Sequence, residues 1–334
     1  MNATAGVVLR APRYVLGETL LEHTEIEGFA EFVDRRRMVP DAGLWGWGAV
    51  HRTALDTAAL AVRTGLLTLR AAALEPGEVD ALVLCSTAFS ADVDAHGELI
   101  ASVIDGLGLD PLPVTGVTLN RCANLLAGLQ LAATMVAAGR HRTVLVITTD
   151  RVAEEADRLT DFALFSDGAA SCLVTREPDG GPDSAGGPDS VGSPDSAGAP
   201  ESYRWVADSW AQDPAALGRG HEISADLARA ANRRLFAEAG IGIDAVEGLL
   251  HNNIYLPIVT MKELQAGFGP SQLDTSNVTR VGHCFAADPL INLVDRQSAG
   301  TVRADGFYLL ASSVSGLRVC ILLRADSAVP HDNP

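Results

Sequence analysis

Lysine is nearly missing from this chain: Lys262 is the only one in 334 residues, and the other basic side chains are arginines. Schiff-base chemistry therefore has a single candidate. No Gly-x-Gly-x-x-Gly follows a predicted strand, which argues against a dinucleotide-binding turn. The five cysteines, Cys85, Cys122, Cys172, Cys284 and Cys320, are odd in number and form no Cys-x-x-Cys pair. With no signal peptide ahead of them, they are expected as mostly free, reduced thiols in a cytoplasmic protein. The histidines and cysteines also lack metal-ligand spacing, so no metal is expected. Positive charge is scarce: 25 Lys and Arg face 42 Asp and Glu, for a net charge of -17. That balance argues against nucleic acid or an anionic membrane surface as a broad partner. The apolar runs are too short and too often interrupted to span a bilayer.

What is present is a compact composition, 47% hydrophobic and 20% charged. The length predicts about two domains, or one duplicated domain, at roughly 150 residues each. The most informative stretch is Leu119-Asn120-Arg121-Cys122-Ala123-Asn124-Leu125-Leu126. It follows the short apolar run 113–119 and opens a small, apolar segment that ends near Gly139. The pattern reads as strand, tight turn and buried helix. Cys122 would then sit at the first helical turn, where unpaired N–H groups and the helix dipole favour a thiolate. Such a thiolate is an acyl acceptor, and nearby backbone N–H groups can hold the oxyanion it generates.

Further along, residues 80–87, 143–149 and 168–174 read as buried strands. The segment 223–240 reads as an amphipathic helix, and Gly248-Leu249-Leu250 as a strand leading into His251. Helices are expected at about 257–267 and 289–296, and strands at 308–312 and 317–323. This alternation predicts a mostly parallel sheet with helices on its faces. The domain boundaries are placed at 1–176 for the first half and 203–326 for the second. Between them, 177–202 carries Pro-Asp-Ser three times at six-residue spacing in a Gly/Ala background, the composition of a disordered acidic loop. The tail 327–334 is expected to fray.

Several motifs, in this order, resemble the type III ketosynthases, the beta-ketoacyl-acyl carrier protein synthase III family of the thiolase fold. They are the Cys122 segment, Phe165-Ser166-Asp167-Gly168-Ala169-Ala170, His251-Asn252-Asn253, Gly282-His283 and the terminal apolar hairpin. The resemblance implies an α/β, five-layered αβαβα core of two similar halves, and a homodimer. It implies an acyl-CoA or acyl carrier protein thioester as substrate, with no tightly bound cofactor. Cys122 matches the family's nucleophile and His251 its histidine. His283 stands where the family has asparagine, in Gly282-His283-Cys284-Phe285-Ala286-Ala287-Asp288. The oxyanion is expected between the N–H groups of Cys122 and Val314.

Two readings of the changed site follow. Paired imidazole N–H donors would keep a decarboxylative condensation with a malonyl thioester possible. Alternatively Asp288, five residues after His283, would orient that ring as a general base for an alcohol, amine or thiol acceptor. The second favours acyl transfer of the natural-product branch, which serves polyketide and related biosynthesis. A non-catalytic partner subunit is a third reading, opposed by the retained Cys122. Asp288-Pro289 is equally the pattern of a helix cap followed by its first residue. Asn253 and His221 are candidates for substrate binding, beside plainer readings as turn and solvated loop residues. Cys85, Cys172 and Cys320 lie in apolar strands and read as packing residues.

Overall fold

The computed structural model describes residues 4–177, 201–218 and 224–326. His221, most of the Pro-Asp-Ser loop and the tail lie outside the described residues. Eleven strands are seen among them: Val7–Leu16 (β1), Thr19–Glu22 (β2), Ala49–Arg52 (β3), Ala81–Cys85 (β4), Val114–Val117 (β5), Thr143–Asp150 (β6), Gly168–Arg176 (β7), Ser202–Gln212 (β8), Val246–Leu250 (β9), Phe307–Val314 (β10) and Leu317–Ala325 (β11). The helices are Phe29–Arg35 (α1), Ala42–Trp45 (α2), Thr57–Ala71 (α3), Val93–Leu107 (α4), Asn124–Ala137 (α5), Ala225–Ala239 (α6), Leu256–Gln265 (α7), Ser276–Arg280 (α8) and Asp288–Ser298 (α9).

Nine strands form one sheet in the order β5-β4-β6-β7-β1-β8-β11-β10-β9. Only three residue pairs join β1 to β8, so the sheet is two half-sheets held at a narrow seam. The apolar helix α5 and the helix α9 fill the space between the half-sheets, against the inner faces of β4, β6, β7, β10 and β11. Helices α3 and α4 cover the outer face of the first half-sheet. Helix α6 covers the outer face of the second. The result is the thiolase-like αβαβα stack. Helix α5 is mostly apolar because most of its surface is buried, with Gln130 and Thr134 on its more open side.

The sheet is not mostly parallel. Pairings β4–β5, β4–β6 and β9–β10 are parallel, while β1–β7, β1–β8, β6–β7, β8–β11 and β10–β11 are antiparallel. A two-residue connection such as the one between β10 and β11 can join only antiparallel strands. Helix and strand alternation suggested parallel pairing, but β6–β7 and β10–β11 follow one another with no α-helix between them, and strands covered on both faces show no alternation of side chains to mark this. No helix among the described residues is long and apolar enough to cross a membrane.

Candidate active site

The chain leaves β5, passes through a 3-10 turn at Arg121–Ala123 and enters α5 at Asn124. Cys122 therefore sits one turn ahead of the α-helix proper. Arg121 has φ +52°, a left-handed backbone on a non-glycine residue. Conformations of this kind cost about 1–3 kcal/mol and persist where surrounding contacts enforce them. Here the Arg121 guanidinium donates to the Ser315 carbonyl. Ser312 Oγ donates to the Cys122 carbonyl at 2.8 Å. Both contacts tie the nucleophile turn to the end of β10.

His283 is placed by the Phe165-Ser166-Asp167-Gly168 segment. Its N–H donates to the Leu164 carbonyl at 2.8 Å, and its carbonyl accepts the Ser166 N–H at 2.9 Å. Gly282 precedes it with φ +70°, and a Cβ there would stand 2.8 Å from the Leu164 carbonyl oxygen. Gly168 opens β7, as the expected strand 168–174 has it, and a Cβ there would meet Cys284 Sγ and the Val15 carbonyl oxygen, each at 2.7 Å. Asp167 is structural: its carboxylate accepts from the buried Arg158 and from the N–H groups of Thr53 and Val152.

The ring of His283 links two groups. Its Nε2 lies 3.3 Å from Cys122 Sγ, and its Nδ1 lies 2.5 Å from Asp288 Oδ2. A carboxylate accepts, so the proton sits on Nδ1 and Nε2 faces the sulfur. Burial opposes a charge on this ring, but the charges of Asp288 and of the Cys122 sulfur outweigh it and raise the His283 pKa to about 10. Asp288 was expected as a helix cap, but it is the first residue of α9 and caps none of its N–H groups. Its Oδ1 accepts the Cys284 N–H at 2.7 Å, and its Oδ2 accepts the Asn253 N–H at 2.6 Å. The carboxylate is fully buried.

His251 differs. It is buried, and its Nδ1 donates to the neighbouring Asn252 carbonyl at 2.7 Å. Burial lowers its pKa against that hydrogen bond, which holds the ring neutral. A neutral ring with its proton on Nδ1 presents a lone pair at Nε2, and that atom has no partner among the described residues. The expected pair of imidazole N–H donors is reduced to one: His251 Nε2 is an acceptor, while the charged His283 ring keeps an N–H on the Nε2 that faces the sulfur.

Val314 is corrected by the strand geometry. The Ser313 N–H donates to Asn252 Oδ1 at 2.8 Å, away from β11. Successive N–H groups of a strand point to opposite edges, so the Val314 N–H turns toward its register partner Leu317. Asn253 stands behind the site. Its N–H holds Asp288 and its Oδ1 accepts Asn292 Nδ2 at 3.1 Å, a positioning arrangement in place of the expected substrate contact. Asn252 has more to offer than its sequence setting showed. Its Oδ1 takes Ser312 Oγ and the Ser313 N–H, while its Nδ2 is buried and unpartnered beside the Cys122 turn. The remaining four cysteines are buried, and burial pushes their thiols up. Among the described residues no cluster of three or more His, Cys, Asp or Glu side chains is arranged for a metal ion.

With this geometry established, the similarities are informative. The family model for 3-oxoacyl-[acyl-carrier-protein (ACP)] synthase III matches residues 118–186, the stretch that begins just before Cys122. Beta-ketoacyl-[acyl-carrier-protein] synthase III of Rickettsia felis is 30% identical over 127 residues, 37% of this chain and 38% of that protein. The Phocaeicola vulgatus protein of the same description is 28% identical over 129 residues, 37% of each chain. The matched region thus spans less than half the length of these relatives. Among solved structures, ChlB3, described as an acyltransferase, superposes with a TM-score of 0.77 at 15% identity, covering 97% of this chain and 99% of that one. FabH of Pseudomonas aeruginosa gives 0.72 at 18%, covering 97% and 100%. OleA of Xanthomonas campestris, with bound lauric acid and lauroyl-CoA, gives 0.76 at 14%, covering 96% and 99%. The chain has the thiolase-type fold and resembles the type III ketosynthases.

Proposed function

We propose that this protein is an acyltransferase that moves an acyl group from a coenzyme A or carrier-protein phosphopantetheine thioester, through Cys122, to a protic acceptor in natural-product biosynthesis. The observation that carries the reading is the line Cys122 Sγ, His283 Nε2, His283 Nδ1, Asp288 Oδ2. It is the arrangement of a nucleophile, a base and an orienting carboxylate. His283, charged by its raised pKa, already carries a proton on Nε2, and the Cys122 thiolate paired with it attacks the thioester carbonyl. The oxyanion is held by the Cys122 N–H and Asn252 Nδ2. Collapse breaks the C–S bond, and the leaving thiolate takes the proton from His283. The freed Nε2 then removes a proton from the acceptor O–H or N–H as it attacks the acyl-enzyme. His251, neutral with an open lone pair, accepts a hydrogen bond from the acceptor and orients it.

Decarboxylation of a malonyl thioester needs hydrogen-bond donors on the developing enolate oxygen. His251 provides none, since its Nε2 is an acceptor. The match of residues 118–186 to the synthase III family favours condensation as the second reading. A homodimer fits the apolar side chains of Val93 and Leu119, which are 77% and 92% exposed on the Cys122 half.

Incubation of the protein with a panel of acyl-CoA thioesters, malonyl-CoA and simple amine or alcohol acceptors separates the readings. Intact mass should show an acyl adduct that is absent from Cys122→Ala. Product analysis should show ester or amide without carbon dioxide. Carbon dioxide with a beta-ketoacyl product would put condensation first, and no adduct across the panel would put a non-catalytic role first.

A further inference from the structure

Two buried oxygens at the end of β6 have no hydrogen-bond partner among the described residues. Thr148 and Asp150 are in step with Val144 and Val146, so their side chains face the central layer that holds α5. Thr148 is fully buried and Asp150 is 4% exposed. Asp150 Oδ1 is saturated by Ser86 Oγ at 3.0 Å and by the N–H and Oγ1 of Thr87, both at 2.6 Å. Asp150 Oδ2 and Thr148 Oγ1 accept nothing among the described residues. The pair is linked to the nucleophile turn through Ser86. The carbonyl of Ser86 accepts Asn124 Nδ2 at 2.8 Å, and Asn124 begins α5 two residues after Cys122. The His283 charge acts on Asp150 as well. Buried polar atoms in native proteins almost always have a partner, and an orphaned carboxylate oxygen is the costlier kind to leave alone.

We propose that Thr148 and Asp150 form a polar subsite for the acyl group carried by Cys122, and that it takes a hydroxyl or ammonium donor on that acyl chain. This rests on the acyl-enzyme reading above. The donor hydrogen-bonds to Asp150 Oδ2, with Thr148 Oγ1 as its neighbour. The same oxygen repels an acyl chain that ends in a carboxylate. Burial raises the Asp150 pKa to about 6 against the hydrogen bonds of Thr87 and Ser86, so the group is ionised in neutral and mildly alkaline solution.

The test is calorimetric titration of the Cys122→Ala protein, at about pH 8, with butyryl-CoA, its 2-, 3- and 4-hydroxy forms, and succinyl-CoA. At least one hydroxybutyryl thioester should bind about tenfold or more tighter than butyryl-CoA, the value of a hydrogen bond to a charged group. Adding Asp150→Asn should shrink that ratio several-fold and strengthen succinyl-CoA binding. Thr148→Val should shrink the ratio too, and its near-constant volume keeps the test open should Asp150→Asn not fold. Equal affinity for butyryl and all hydroxybutyryl forms overturns the proposal. So does a ratio that neither substitution changes, or no binding by any of the five. Adduct formation by the wild-type protein is scored separately, so failure of the subsite and failure of acyl transfer remain distinguishable.

Discussion

The two halves of the molecule enter their central helices by the same turn and use it for different ends. Arg121–Ala123 leads into α5 and Phe285–Ala287 into α9, both as 3-10 turns. Arg121 has φ +52° and Phe285 φ +51°. The Asn120 N–H donates to Asn124 Oδ1 at 2.9 Å, and the Cys284 N–H donates to Asp288 Oδ1 at 2.7 Å, at the same four-residue spacing. In this register Cys122 corresponds to the buried Ala286, and Asn124 to Asp288. The first half spends the turn on a half-buried nucleophile. The second spends it on a charge that reaches back to His283. One scaffold, duplicated, yields a triad because the single charged member occurs on one side only.

The largest test of that asymmetry is Asp288→Asn, which makes the second turn chemically like the first. Acyl transfer should fall about 1000-fold or more, because the ring loses the group that fixes its tautomer and charge. Single-turnover kinetics of adduct decay would read it, and a change of only a few fold would reduce Asp288 to a structural anchor for the Cys284 and Asn253 N–H groups. The reverse substitution, Asn124→Asp, makes the first turn like the second. It turns a carboxylate oxygen toward the Ser86 carbonyl where Nδ2 now donates, and should cost about 3 kcal/mol in denaturant unfolding. An unchanged midpoint would show that the two turns are interchangeable supports.

The smallest effect is on pH. The His283 pKa is raised from 6.5 to about 10 in the folded protein. Its contribution to stability is therefore complete below about pH 6.5 and is lost as pH climbs toward 10. Melting temperatures should fall across that window in the wild type and fall less in Asp288→Asn. Parallel pH curves for the two proteins would place the proton elsewhere.

Strand and helix positions were legible because burial leaves long apolar runs. The strand 143–149 is found as β6, and the helix expected from Cys122 is found as α5. Pairing direction was hidden for the same reason: strands covered on both faces carry no alternation. Cys122, His283 and Asp288 were legible as candidates from residue type and spacing. Asn252, Thr148 and Asp150 were not, because their interest lies in hydrogen bonds left unmade, which no local pattern encodes.

By itself the sequence determined the cysteine ahead of a buried helix and the His-x4-Asp spacing, since these follow from local periodicity and residue chemistry; the two-half αβαβα plan came from the resemblance its motifs carry. Only the tertiary structure decided which ring nitrogen faces the sulfur and which carries the proton. It also decided that His251 is an acceptor and that the Val314 N–H turns away from the site. The facing of His283 and Cys122 joins residues 161 apart in the chain, and the rest depends on backbone conformation around Asn252, Ser313 and Asp288, which is fixed only when the halves close on α5 and α9.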